Sequence, residues 1–104
     1  MEKELKDKWL GALRSGEFAQ TTGTLRRDNA YCCLGVLLSV SGKGTWDAQF
    51  YEMDEEGAKL KGALGSVGVS IFGIPHDIQY KLVSMNDNEK RTFAEIADYI
   101  ETAL

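Results

Sequence analysis

The segment from Tyr31 to Leu38 constrains the fold of this chain most strongly, because it is apolar around its whole circumference. A helix without a polar face has to be buried on every side. The segment also places two adjacent thiols, Cys32 and Cys33, in the middle of a short protein. The sequence therefore predicts a central buried helix around which the other elements pack, with both thiols in the core.

Length and charge narrow the possible functions. A chain of 104 residues is long enough for one hydrophobic core and too short for two, so we expect a single globular domain spanning residues 1–104. The formal net charge of -4 argues against a protein that coats duplex nucleic acid, since that affinity comes largely from Lys and Arg side chains on phosphates. No window approaches the roughly 18 consecutive apolar residues of a membrane span, and the charged first residues lack the apolar core of a secretory signal. We therefore expect a cytoplasmic protein with free thiols and no membrane partner.

Apolar residues at helical spacing predict four helices. Gly35 lies inside the second of them and costs about 1 kcal/mol relative to alanine, which favours a close approach of another backbone or of a ligand at that point. The predicted helices run from Glu2 to Ser15, ended by Gly16; from Tyr31 to about Ser41, capped by Asp28 or Asn29 and ended by Gly42; from Pro75 to about Met85; and from a capping box at Thr92–Glu95 to Leu104.

The middle of the chain has the character of β-structure. Trp46–Met53, the turn-rich Asp54–Gly57 and the alternating Ala58–Lys61 predict a hairpin, and Val67–Ile71 predicts a further short strand or a glycine-rich loop. Asn86–Asn88 is typical of a turn. The predicted fold class is α+β: a compact single domain with a central buried helix, about three flanking helices and a small antiparallel hairpin or sheet.

Four polar residues are the candidate ligand-binding residues. Guanidinium groups beside a glycine-containing turn can hold a phosphate bidentately. Arg14 precedes the polar segment Glu17–Arg27, which contains Gln20 and Arg26. Asp87 can accept a hydrogen bond from a ribose hydroxyl. The alternatives are that Arg14 pairs with an acidic surface residue, that Arg26 is solvated, and that Asp87 only satisfies backbone groups in a turn.

The sequence contains no phosphate-binding glycine loop, no nucleophile elbow and no metalloprotease helix. Cys32 and Cys33 diverge by about 100° on a helix and cannot jointly bind one tetrahedral metal ion in the usual spaced arrangement, so we expect two core thiols. A Cys2His set with His76 is the alternative, although the sequence shows no second shell for it. A nucleophile–base pair would need His76, the single histidine, and nothing in the sequence brings it to the thiols. We predict no catalytic residue, no metal ligand and no cofactor.

A set of residues at both ends of the chain carries a resemblance: Trp9, Ala12–Gly16, Gln20, Leu25, Tyr31–Leu37, Met85–Asp87 and Phe93–Glu101. In these residues the chain resembles a family of small proteins of uncharacterised function that are encoded mainly by bacteriophages. Family members often carry another cysteine where this chain has Leu38, and the middle of the chain matches only at Trp46 and Ile74-Pro75. The resemblance implies a phage context and not a reaction.

These observations lead to one hypothesis and two alternatives. The hypothesis is a non-catalytic phage-type protein that binds a small anionic nucleotide-derived ligand and thereby sequesters a host immune signal, a role compatible with a homo-oligomer in the host cytoplasm. One alternative is a protein-interaction module that inhibits a host enzyme. The other is a small hydrolase or thiol enzyme.

Overall fold

The computed structural model describes residues 1–54, 59–60 and 72–104. Its helices and strands confirm the predicted α+β fold class. In chain order they are α1 Lys3–Ser15, β1 Ala19–Gln20, β2 Arg26–Arg27, β3 Ala30–Tyr31, α2 Cys33–Ser41, β4 Gly44–Asp47, β5 Phe50–Met53, β6 Lys59–Leu60, α3 His76–Asp87 and α4 Phe93–Ala103.

Helix α2 is the central buried helix that the sequence predicts. The residues of its first part are all buried, from Cys33 to Leu38. Helices α1 and α3 pack directly against it, and α4 packs against both of them. The prediction is wrong about where α2 begins: Tyr31 belongs to β3, and the N-cap is Cys32 rather than Asp28 or Asn29.

The segment between α1 and α2 is not a simple polar loop. Its first sheet has the strand order β1-β3-β2, with β3 parallel to β1 and antiparallel to β2. Leu25, only 1% exposed, belongs to the core, and Thr24 is buried as well. The polar segment Glu17–Arg27 therefore contributes two residues to the interior.

Gly35 is the point where α2 meets this sheet. A Cβ at position 35 would collide with the backbone carbonyl of Leu25. That carbonyl also accepts a hydrogen bond of 3.1 Å from the Cys32 amide. The predicted close approach at Gly35 is confirmed, and the approaching group is a backbone.

The second sheet is antiparallel, in the order β4-β5-β6. Pairing of Tyr51 with Leu60 confirms the predicted hairpin, while the hairpin of β4 and β5, joined through Ala48 and Gln49, is not predicted. The hairpin tip at 55–58 and the predicted strand or loop at Val67–Ile71 lie outside the described residues.

The end of α1 and the start of α4 are as predicted. Gly16 takes the left-handed conformation with φ 79° after α1. The capping box of α4 is formed: Thr92 Oγ1 accepts from the Glu95 amide at 3.2 Å, and Glu95 Oε1 accepts from the Thr92 amide at 3.1 Å. The turn predicted at Asn86–Asn88 is wrong, because α3 continues through Asp87 and Asn88 is its C-cap.

Candidate functional site

A pocket of about 150 Å³ opens where the start of α2 meets the end of α3. We call it the Asn86 pocket. The loop after β1 closes a third side of it, so that three separate parts of the chain meet there. Its lining consists of Gly23 and Thr24 from that loop, Cys32, Cys33 and Leu34 from the start of α2, and Val83, Asn86 and Asp87 from α3.

Asn86 holds these parts together, although its side chain is only 1% exposed. Its Oδ1 accepts from Gln20 Nε2 at 2.9 Å and from the Cys33 amide at 3.3 Å. Its Nδ2 donates to the Thr21 carbonyl at 2.8 Å and to Asp87 Oδ1 at 2.9 Å. A side-chain amide offers two donors and two acceptor sites, so these bonds use its whole capacity. Asn86 therefore fixes the frame of the pocket and has no donor or acceptor left for a ligand.

Asp87 is the charged side chain of the pocket, and it is half-buried. The bond from Asn86 Nδ2 fixes the carboxylate through Oδ1. An ionised carboxylate has about four acceptor sites, so Asp87 keeps capacity for a hydrogen-bond donor inside the pocket. The arrangement favours a ligand with an N–H or O–H group over one that presents an anion.

Cys32 and Cys33 both line the pocket, and their thiols are protonated near neutral pH. Burial raises the pKa of Cys32 to about 11, and the charge of Asp87 adds to the effect. Burial also raises the pKa of Cys33 well above its usual range, and its Sγ lies 3.7 Å from the Leu82 carbonyl oxygen. A thiol nucleophile needs its thiolate form, which both environments disfavour.

His76 lies far from these thiols. It is an exposed residue at the start of α3, where its ring faces Tyr80 with centroids 6.4 Å apart. The Asn86 pocket lies at the other end of the same helix, and ten helical residues span about 15 Å. Within residues 1–54, 59–60 and 72–104, no group of three or more His, Cys, Asp or Glu side chains could hold a metal ion.

Two of the four predicted ligand-binding residues meet at the pocket. Asp87 lines it, and Gln20 reaches it indirectly, because the Gln20 amide supports Asn86 and also donates to the Arg91 carbonyl at 2.7 Å. Arg14 lies elsewhere. Its guanidinium bridges Asp98 and Glu101 at 2.8 Å each, which is the ion pairing that the alternative interpretation predicts.

Arg26 lies at the tips of two hairpins and not in the Asn86 pocket. Its Nε donates to the Asp28 carbonyl at 2.8 Å and its Nη1 to the Ala48 carbonyl at 3.3 Å. The guanidinium also lies over the rings of Tyr31 and Trp46, 5.7 and 5.6 Å from their centroids. The fold therefore brings Gln20 and Asp87 together at the Asn86 pocket, whereas Arg14 and Arg26 lie on other surfaces.

Sequence reasoning missed the central role of Asn86, although a signal was present. Ile78, Leu82 and Asn86 are spaced four apart, so Asn86 continues the apolar stripe of α3. A polar residue on a buried stripe has to find hydrogen-bond partners in the interior. That rule points to Asn86 as a buried structural residue. The turn propensity of Asn86–Asn88 instead led to the prediction of a turn.

Comparison with known proteins adds a family and no function. No curated protein and no solved structure matches the chain, and no helix in the described part of the chain is long and apolar enough to cross a membrane. One family model, a Domain of unknown function (DUF8296), matches residues 1–63. The match includes the thiol side of the Asn86 pocket, while Asn86 and Asp87 follow it in the sequence. Because the match covers more than half of its length, the chain belongs to the DUF8296 family.

Proposed function

We propose that this protein binds a small nucleoside-derived ligand in the Asn86 pocket and does not transform it. One observation carries the proposal: a half-buried carboxylate, Asp87, is held by Asn86 at the edge of a pocket whose other walls include Leu34 and Val83. Ligand sites are commonly concave, mostly apolar and equipped with a few fixed polar groups. The pocket has this composition.

The volume of the pocket limits what enters it. About 150 Å³ is the size of a cavity that holds benzene, and it is below the roughly 300 Å³ at which sites for drug-sized ligands begin. We therefore expect one ring of the ligand to enter, either a base or a sugar. The remainder of a nucleotide-derived molecule would stay outside.

The charge of the pocket determines which part enters. Asp87 repels an anionic group, and two protonated thiols offer it no positive charge. A ribose hydroxyl or the exocyclic amine of a base can instead donate to the free acceptor sites of Asp87. The phosphates of the ligand therefore lie outside the Asn86 pocket in this proposal.

The proposed biological role is sequestration of a nucleotide-derived host immune signal. The resemblance to phage-encoded proteins supports this role, since phages gain from removing such signals. The chemistry of the pocket supports binding over catalysis, because its thiols are protonated and His76 is about 15 Å away along α3. Neither argument identifies the ligand by name.

Mass spectrometry of small molecules retained by the purified protein tests the proposal without a guess at the ligand. Thermal-shift and calorimetric titrations against cyclic dinucleotides and cyclic ADP-ribose isomers then test the expected class. We expect Asp87→Asn to weaken binding at least about tenfold, since a hydrogen bond to a charged group contributes about 1.5–3 kcal/mol. Asp98→Asn is the matched control, because Asp98 is an exposed aspartate on α4 that contacts Arg14. The absence of any retained or titrated ligand, or an equal loss in both variants, would contradict the proposal.

A protein-interaction module finds less support in the described residues. Among the described residues, Tyr80 is the one large hydrophobic residue that is exposed, at 67%. One exposed aromatic residue is ordinary for a protein surface, whereas interaction sites expose contiguous apolar patches.

A further inference from the structure

A second concave surface lies at the tips of two hairpins, and we call it the tip groove. It is lined by Arg26, Arg27 and Asp28 from the turn between β2 and β3, and by Ala48 and Gln49 from the turn between β4 and β5. Its volume is about 290 Å³. None of these residues lines the Asn86 pocket, so the tip groove can be considered independently of the proposed function.

Arg26 is fixed in place at this groove. Its bonds to the Asp28 and Ala48 carbonyls use Nε and one N–H of Nη1, and two aromatic rings lie under its guanidinium plane. An arginine has five N–H donors, and no acceptor among the described residues takes a hydrogen bond from its Nη2. The guanidinium is therefore preorganised and retains donors for an acceptor that arrives from outside.

Both turns at the groove contain a non-glycine residue with positive φ. Asp28 has φ 55° and Ala48 has φ 53°, values that non-glycine residues rarely adopt. A two-residue hairpin turn requires positive φ at its first central residue, and aspartate tolerates this conformation better than alanine. The two hairpin tips are held side by side by Arg26, which spans from one to the other.

The charge of the groove favours an anion. Arg27 is exposed, and no described residue forms an ion pair with its guanidinium or with that of Arg26. The opposing charge in the lining is the exposed carboxylate of Asp28, so two positive charges stand against one negative charge. Two arginines and one aspartate thus line a volume large enough for a phosphate or a diphosphate.

We propose that the tip groove binds the phosphoryl group of a small molecule, with Arg26 as the fixed donor and Arg27 as the mobile one. Planar guanidinium groups match phosphate oxygens bidentately, which distinguishes them from lysine. Binding at an exposed site of this kind weakens as ionic strength rises.

Titration with inorganic pyrophosphate, followed by backbone amide shifts in NMR, tests this proposal without any nucleoside. We expect shifts at residues 26–29 and 47–49, and an affinity that falls with added sodium chloride. Arg27→Gln should weaken binding about threefold or more, a typical contribution of an exposed charge pair. Arg27→Lys should restore less than the full affinity, because lysine lacks the bidentate geometry.

The control is Lys8→Gln, which removes the same charge from an exposed position on α1. It should leave pyrophosphate binding unchanged. Adenosine diphosphate is titrated in parallel, and an equal affinity for both probes would indicate that the groove recognises the phosphoryl group alone. Absence of shifts in the groove at about 10 mM pyrophosphate, or an equal response in Arg27→Gln and Lys8→Gln, would overturn the proposal. Because pyrophosphate carries no ring that could enter the Asn86 pocket, Asp87→Asn should bind pyrophosphate as the wild type does.

Discussion

At residue 35 the side chain is a single hydrogen atom, and the Leu25 carbonyl oxygen fills the space where a Cβ would lie. This contact fixes the distance between α2 and the first sheet. The same oxygen accepts from the Cys32 amide, so it also fixes how the chain leaves β3 for α2. The thiol side of the Asn86 pocket therefore depends on a residue that contributes no side chain.

Gly35→Ala should destabilise the protein, although alanine is the better helix former by about 1 kcal/mol. We expect a net loss of about 1–3 kcal/mol, because the new methyl group overlaps the Leu25 carbonyl oxygen and forces the backbone to shift. Urea unfolding measures this change in the free energy of unfolding. Gly11→Ala is the matched control, since a Cβ there meets nothing and the same helical gain should appear as a small stabilisation. A gain in stability for both variants would show that the backbone contact at Gly35 is not tight.

Cys32 should make the stability of the protein fall at alkaline pH. Its pKa rises from the ordinary 9.0 to about 11 on folding, so between these values the folded state binds more protons than the unfolded state. Stability from this group is present below pH 9 and is lost as the pH rises through 11. Relative to Cys32→Ala, which cancels the titration of other groups, the wild type should lose about 2 kcal/mol between about pH 8 and about pH 11. Parallel stability curves for the two proteins would contradict this expectation.

The helices and the strands differ in how far the sequence predicts them. Helices α1 and α4 have clear apolar periodicity and recognisable ends, Gly16 and the Thr92 capping box, and both are predicted nearly to the residue. The strands of the first sheet contain two residues each, too few to show any period. The turn at Ala48 and Gln49 contains no glycine, proline or asparagine, so the hairpin of β4 and β5 gave no local indication.

The capping box at the start of α4 has a measurable share in the stability of that helix. Thr92→Ala removes the acceptor for the Glu95 amide and should cost about 1 kcal/mol, measured by thermal unfolding. Thr102→Ala is the control within the same helix. Its hydroxyl donates only to the Tyr99 carbonyl at an exposed position, so its removal should be neutral or slightly stabilising. Equal effects of the two substitutions would mean that the cap has no special role.

The whole molecule determines which candidate residues come together, and the sequence alone does not contain that information. Gln20 and Asn86 are 66 positions apart and meet because α3 packs on α2 beside the first sheet. Arg14 lies only six positions before Gln20 but projects onto α4. Proximity along the chain grouped Arg14, Gln20 and Arg26 in the prediction, whereas the packing of helices sends them to three different surfaces.

Arg14 should therefore matter slightly for stability and not at all for ligand binding in the Asn86 pocket. Arg14→Gln removes the ion pairs that join α1 to α4, and exposed pairs contribute little. We expect Tm to fall by no more than a few degrees, with a smaller effect at high salt. Calorimetry with the ligand recovered from the purified protein should give the wild-type affinity. A strong loss of affinity would show that Arg14 takes part in ligand binding and would contradict this prediction.

The saturated amide of Asn86 has a consequence for selectivity. Widening the pocket would break contacts to Gln20, Thr21, Cys33 and Asp87 together, since one side chain holds them all. Under the proposed function, a pocket held in this way would exclude an oversized ligand instead of widening around it. Discrimination between related molecules would then come from steric exclusion. A single added methyl group on the ring would be enough to prevent binding.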